Sequence, residues 1–248
     1  MKGVVLSRFR HACLVDITHQ IPRHDLHEAA FILDAAFRYF PAGTVHLAVV
    51  DPGVGSDRRP VVVESENHLF VGPDNGIFSL VLNKDRQARI THITNSAYFL
   101  PQVSPTFHGR DLFAPVAAAL ADGIVPARVG PVIQNPICFE LGRNRITAEG
   151  GLAGSIIHID HFGNCVTSFR SDELDFDGGR QTFSISVKGV SIRKLFRFYQ
   201  EAKADPHEPF LIAGSAGYLE ISVFQSFAAQ ELNLTVGETI LLTPNQLF

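Results

Sequence analysis

Residues 45–66 read VHLAVVDPGVGSDRRPVVVESE. An apolar run ends on Asp51. A tight turn with two glycines and a proline follows, Arg58 and Arg59 close it, and a second apolar run opens at once. Short β-branched runs bounded by turn residues read as buried strands. The loop between them therefore lies at a strand end, where α/β folds place their reactive groups. It is no phosphate loop, because no Gly-Lys-Ser/Thr follows. An acid that caps its own turn beside two solvated arginines accounts for the same letters.

Upstream, ACLVDIT (12–18) reads as a buried strand, and Asp25 is expected to cap a helix in LHEAAFILDAAFRYF that Pro41 and Gly43 terminate. Downstream, VVVESE and HLFVG are strands, PDNG (73–76) is a turn, GIFSLVLNK is a helix, RITHIT (89–94) is a strand and FAPVAAALADG is a helix ended by Gly123. Strands alternating with helices imply crossovers and a largely parallel sheet. From residue 131 to 151 no period is sustained, and the stretch reads as a linker. From 152 to 248 the chain is strand-rich, with Gly, Asn and Asp at short intervals, as in a small barrel or sandwich. The expected layout is an α/β domain over 1–130, the linker, and a small β domain over 152–248.

The chain has 248 residues, 46% of them hydrophobic and 19% charged, with a formal net charge of −4. That balance argues against a nucleic-acid partner, which needs a basic face. No run approaches the roughly 18 apolar residues of a membrane span. The start carries no apolar signal-peptide core. Cys13, Cys138 and Cys165 are scattered and form no CxxC, so no metal is expected. They read as reduced, mostly buried thiols of a cytoplasmic protein.

Three further loops carry chemistry. SPTFHGRD (104–111) sets His108 beside a glycine, with Asp111 as helix cap or first-turn acid. A lone His is also common as a packing residue. In IDHFGNCVTSF (159–169), Asp160 suits an ammonium, Phe162 a flat ring and Asn164 a base edge, although a hairpin turn around Gly163 explains the pattern equally. AGSAGYLEIS (213–222) uses small residues that let backbone N–H groups approach a carboxylate, or simply forms a glycine bulge.

Taken in order, VDITHQIPRHD, GTVHLAVVDPGVGSDRR, FVGPDNGIFS, TFHGRDLFAPVAA, IDHFGNCVT and GSAGYLEI resemble the S-adenosyl-L-methionine (SAM) hydroxide adenosyltransferases, relatives of the SAM-dependent fluorinases and chlorinases. The resemblance implies an N-terminal Rossmann-like domain, a small C-terminal β-barrel, and a homotrimer with SAM bound between subunits. SAM is then the substrate, and no cofactor is implied. It places a water-activating set on Asp51, Arg58 and His108, which the halogenating relatives lack, with either Asp51 or His108 as the proton acceptor. Arg59 pairs with an acid or supports the loop. The resemblance also puts the methionine amine near Asp160, the adenine near Phe162 and Asn164, and the methionine carboxylate near Ser215. Tyr199 belongs either over the adenine or in the barrel core. His24 stands where a ligand-packing aromatic is common, and Phe224 and Phe227 replace asparagines expected near the adenine. The family pattern opens with a further central strand whose aspartate holds the ribose; here the chain opens at Met1-Lys2-Gly3-Val4, after it. A halogenase and a non-catalytic SAM- or adenosine-binding protein are the rival functions.

Overall fold

The computed structural model describes residues 1–174 and 183–244. Gln181 and Thr182, the first residues of an expected strand, lie outside them. The chain divides into two compact units, Met1–Glu140 and Leu141–Phe248.

The first unit is built on a five-stranded sheet of β1 (Val45–Leu47), β2 (Pro60–Ser65), β3 (His68–Pro73), β4 (Arg89–His92) and β5 (Val132–Ile133), in the order β1-β3-β2-β4-β5. Only β1 and β3 run parallel; β2/β3, β2/β4 and β4/β5 are antiparallel. This corrects the largely parallel sheet expected from the alternation of elements. The reason lies in Glu66 and Asn67, the two residues joining β2 to β3, both at positive φ (47° and 63°). A two-residue link of that conformation can only make an antiparallel hairpin.

Helices α1 (Lys2–Arg8), α2 (Leu26–Ala36), α3 (Ser79–Lys84) and α4 (Ala114–Ala121) belong to this unit. Asp25 caps α2 as expected, accepting the Glu28 N–H at 2.9 Å. Alternate residues of β2 face opposite layers, as strand geometry requires. Val61 and Val63 pack with Ala29, Leu33 and Phe37 of α2 and its last turn. Val62 packs with Val116, Ala117 and Leu120 of α4. Each such side chain contributes about 1.5–3 kcal/mol on burial, so both faces of this short sheet are covered by helices. Val5 of α1 packs on Ala114 and Ala118 of α4. A π-helical turn, Gly109–Phe113, leads into α4.

Residues 12–18, expected as a buried strand, form none. Leu14, Val15 and Ile17 are exposed, and Asp16 is held by Lys2 and His19 instead. A strand exists only where a neighbour pairs with it, and no pairing is made there. Cys13 and Cys138 are exposed and only Cys165 is buried, which corrects the reading of mostly buried thiols.

The second unit is one curled antiparallel sheet apart from a single parallel pairing. Its strands are β6 (Arg145–Ile146), β7 (Leu152–Ile159), β8 (Cys165–Arg170), β9 (Phe183–Val187), β10 (Val190–Ile192), β11 (Leu195–Phe196), β12 (Phe210–Ala213), β13 (Tyr218–Ser222) and β14 (Thr239–Pro244). The order is β10-β9-β14-β7-β8-β13-β12-β11, with β6 pairing on β7. The first half of β7 pairs with β14 and its second half with β8, so the sheet turns through that strand. The described strands make a curled half-barrel rather than a closed one. Ile156, Phe169, Ile185, Leu219, Ile221 and Ile240 fill its interior. The short helix α5 (Ala228–Glu231) adds Ala228 to that core. Among the described residues no helix is long and apolar enough to cross a membrane.

Candidate functional site

The loop after β1 is tied down at several points. Asn75, in the PDNG turn, donates through Nδ2 to the Val50 carbonyl at 2.9 Å. Within the loop, Ser56 N–H reaches the Gly53 carbonyl and its Oγ accepts the Arg58 N–H. Gly55 has φ +80° and lies against the Pro105 carbonyl; a Cβ there would stand 2.6 Å from that oxygen. Glycine is thus what lets the 51–59 loop rest directly on the 104–111 loop.

At that contact three side chains meet. Arg58 Nε donates to Asp51 Oδ1 at 2.9 Å and Oδ2 at 3.0 Å, and Nη2 also bonds Oδ2. The same Nη2 donates to His108 Nδ1 at 2.8 Å. The Arg58 and Asp51 side chains are only 8% and 6% exposed, so this ion pair is largely dry and strong. The Phe113 ring backs the guanidinium at 5.1 Å, a cation–π contact that closes the group from below. Nothing in the apolar run FAPVAA marks Phe113 for this place, because its contact is made through folding rather than spacing.

An arginine donates and never accepts. His108 Nδ1 must then be unprotonated, and the neutral ring carries its proton on Nε2. Burial pushes the imidazole below its usual pKa, the Arg58 charge pushes the same way, and Asp51 and Asp111 oppose them. Asp111 is the first-turn acid of the Gly109–Phe113 turn rather than its cap. Its carboxylate is buried, accepts the Ser104 N–H at 2.8 Å and takes Arg110 Nη2 at 2.9 Å, which fixes the 104–111 loop. Arg59 turns away from the trio: it pairs with Asp74 and donates to Asn135 Oδ1 at 2.8 Å. Of the two roles open for it, pairing with an acid is the one found. His24 lies in the exposed turn before α2 at φ 68°, apart from these bonds.

The second unit holds the other candidates. The Asp160–Asn164 turn joins β7 to β8. Asp160 Oδ1 accepts the N–H groups of Phe162 (2.9 Å) and Asn164 (2.8 Å), and Oδ2 accepts Asn164 Nδ2 at 2.9 Å. The carboxylate therefore organises its own turn, whatever else it binds. Gly163 sits at φ +78° directly beneath Phe227. Phe162 is 75% exposed, its ring offered to solvent, while Asn164 is buried. Tyr199 is half-exposed, its ring edge on Phe210 and its hydroxyl near Asn164 and Glu220. It is thus neither wholly core nor free. Ser215 is exposed in the β12–β13 turn. Phe224 is buried with Phe210 and Ile212, so it serves packing. Glu220, on β13, escaped the sequence reading; the signal was an acid set between apolar residues in YLEIS. Burial, then Asp160, pushes its carboxyl above the usual range. Among the described residues no His, Cys, Asp or Glu side chains gather as a metal would need.

The SAM hydroxide adenosyltransferase N-terminal domain is matched by residues 1–130 and its C-terminal domain by residues 154–241. An (R)-S-adenosyl-L-methionine hydrolase of Thermus thermophilus is 36% identical over 249 residues, covering 98% of this chain and 92% of that one. A fluorinase of Actinopolyspora mzabensis is 26% identical over 275 residues, covering 98% of this chain and 91% of that one. The crystal structure of an uncharacterized conserved protein from Thermotoga maritima superposes with a TM-score of 0.87 at 32% identity, covering 97% of this chain and 92% of that one. With both domains matched and a relative 36% identical along almost the whole chain, the protein belongs to the SAM hydroxide adenosyltransferase family.

Proposed function

We propose that this protein is an enzyme that hydrolyses SAM to adenosine and L-methionine, with Asp51, Arg58 and His108 as the catalytic group. The observation that carries the reading is Arg58 Nη2, which bonds Asp51 and His108 at once in a largely dry setting. The names of the hydrolase relatives support the same chemistry, and the fluorinases are more distant.

The chemistry follows from charge. Water attacks C5′ of SAM as the C5′–S bond breaks, and the bond pair leaves on sulfur. The sulfonium becomes the neutral thioether of methionine, so the leaving group needs no acid. The nucleophile is the difficulty. Arg58 holds a fixed positive charge at the site and favours hydroxide over water. Asp51 Oδ1 keeps a lone pair beyond the one used by Arg58, so the carboxylate can accept a water proton there. His108, with Nδ1 occupied, offers Nε2–H as a donor that orients the water oxygen. This assigns proton acceptance to Asp51 and positioning to His108. A dry cleft favours the step, since hydroxide and sulfonium neutralise one another.

For substrate binding we assign the methionine amine to Asp160, the adenine to Phe162, Asn164 and Tyr199, the carboxylate to Ser215, and a packing role to His24. We take the domains as 1–130, α/β, and 152–248, a small β-barrel, joined by 131–151. The working form is a homotrimer in the cytoplasm, each SAM lying between the N-terminal domain of one subunit and the C-terminal domain of the next, with no cofactor, nucleic acid or membrane involved. The resemblance and the matched segments support this arrangement.

The test is product analysis. The protein is incubated with SAM in buffers with and without chloride or fluoride. Adenosine and methionine in equal amounts, independent of halide, are expected. A 5′-halo-nucleoside that appears only with halide would replace this reading with a halogenase, and tight SAM binding without any product would make the protein a binder.

A further inference from the structure

Glu220 makes no sense as a stabilising residue. It is half-buried on a strand of a hydrophobic sheet, close to a second acid, and its carboxyl is pushed up by that setting. Burying an acid costs stability, and here the His158 charge offsets less than burial and Asp160 impose. Room has nevertheless been made for it. A Cβ on Gly214, across the β12–β13 turn, would stand 1.9 Å from Glu220 Oε1, so the carboxylate rests directly against that glycine.

We propose that Glu220 is a positioning residue: it fixes the Tyr199 hydroxyl, which fixes the Asn164 amide, so that Asn164 turns its carbonyl oxygen toward the ligand. This rests on the reading above that the Asp160–Asn164 turn receives the adenosyl part of SAM. The direction of each bond follows from the donors. A carboxylate only accepts, so Tyr199 O–H donates to Glu220 Oε2 at 3.3 Å. The Tyr199 oxygen, its proton spent, accepts from Asn164 Nδ2 at 3.4 Å. The other Nδ2 proton goes to Asp160 Oδ2 at 2.9 Å. Both amide protons are used, and Oδ1 is the acceptor left over. With Glu220 removed, the Tyr199 hydroxyl is free to turn and donate to Asn164. The amide is then held by the Asp160 bond alone, and Oδ1 is presented to the ligand less firmly.

The inference is tested on the full protein with Glu220→Gln, Tyr199→Phe and the double variant. In wild-type protein the Asn164 side-chain amide signals are assigned by ¹⁵N NMR against Asn164→Ala. The expected result has three parts. In both single variants the Asn164 Nδ2 proton signals move and exchange faster with solvent. The KM for SAM rises about tenfold, the scale of one lost ligand hydrogen bond, while kcat falls by a smaller factor. The double variant is no worse than the worse single, because Glu220 acts through Tyr199. Unmoved Asn164 signals in Glu220→Gln, or single effects that multiply in the double variant, would overturn the proposal. If the wild-type protein releases no adenosine from SAM, the proposed function fails by itself, and the amide signals still decide the role of Glu220.

Discussion

Arg58 Nη2 donates to His108 Nδ1 at 2.8 Å, and this one bond decides the tautomer of the imidazole. A histidine held so cannot take a proton on Nδ1 without setting two cations face to face. Its outward face is therefore Nε2–H, a donor, and on the proposed reading the acceptor in the group is Asp51. The two residues sit in loops fifty positions apart, and Gly55 against Pro105 is what brings those loops together.

Replacing Asp51 removes the acceptor. Asp51→Asn is expected to lower kcat for adenosine release by about 10²–10⁴-fold, the range of a lost general base, with KM within a few-fold of wild type. His108→Asn keeps an acceptor where Nδ1 stands but loses the outward N–H, so its kcat falls less, about 10²-fold. Steady-state kinetics on both variants measure this. A loss confined to KM would move the residues from chemistry to recognition.

The imidazole also sets a pH limit. Its pKa lies below the usual 6.5, so the neutral form persists into mildly acidic solution. The acid limb of the kcat/KM profile is expected to be centred below pH 6.5, as protonation breaks the Arg58 bond. In His108→Asn this acid limb disappears. A limb centred above pH 6.5 would contradict the assignment.

Gly55→Ala tests the contact between the loops. The added methyl meets the Pro105 carbonyl at 2.6 Å, at a backbone angle of +80° that disfavours any side chain. A stability loss of about 1–3 kcal/mol is expected, together with a fall in kcat as Arg58 and His108 separate. Gly123→Ala is the control. Its φ is +96° with nothing within 4 Å, so it carries the backbone strain alone and leaves kcat intact. Thermal unfolding and turnover of the two variants separate strain from site geometry.

A buried histidine pair governs stability rather than catalysis. His46 on β1 meets His68 on β3 at 3.1 Å, stacked on Phe70 and edge-on to Phe37 and Phe40. Burial, helped by His68, lowers the His46 pKa from 6.5 to about 4. The unfolded chain binds this proton more readily than the folded one. The stability contribution is thus whole above pH 6.5 and is lost as pH falls toward 4, worth about 3 kcal/mol. Urea unfolding at pH 7.5 and pH 4.5 should show that loss in wild type and a smaller one in His46→Gln.

What could be read from the letters was local. The Asp25 cap, the PDNG turn and the apolar runs of β2, β3 and β4 depend on neighbours in sequence, and all appear. Strand direction was misread because helices between strands suggested crossovers, while the two-residue link Glu66-Asn67 carried the contrary signal. Residues 12–18 have the composition of a strand, but composition does not supply a pairing partner. At the site, Asp51, Arg58 and His108 were named through family resemblance, and their bonding was not. The roles of Glu220 and Phe113 went unread for the same reason: their partners are distant in sequence, and only the fold brings them into contact.

The central claim is that a water molecule readied by Asp51, Arg58 and His108 attacks C5′ of SAM. A single turnover in H₂¹⁸O with excess enzyme, read by mass spectrometry of the nucleoside, tests it most directly. One ¹⁸O atom in the 5′-hydroxyl of adenosine, formed by wild type and about 10²-fold or more slower by Asp51→Asn, is the predicted result. Adenosine without the label, or labelled adenosine formed equally fast by Asp51→Asn, would contradict it.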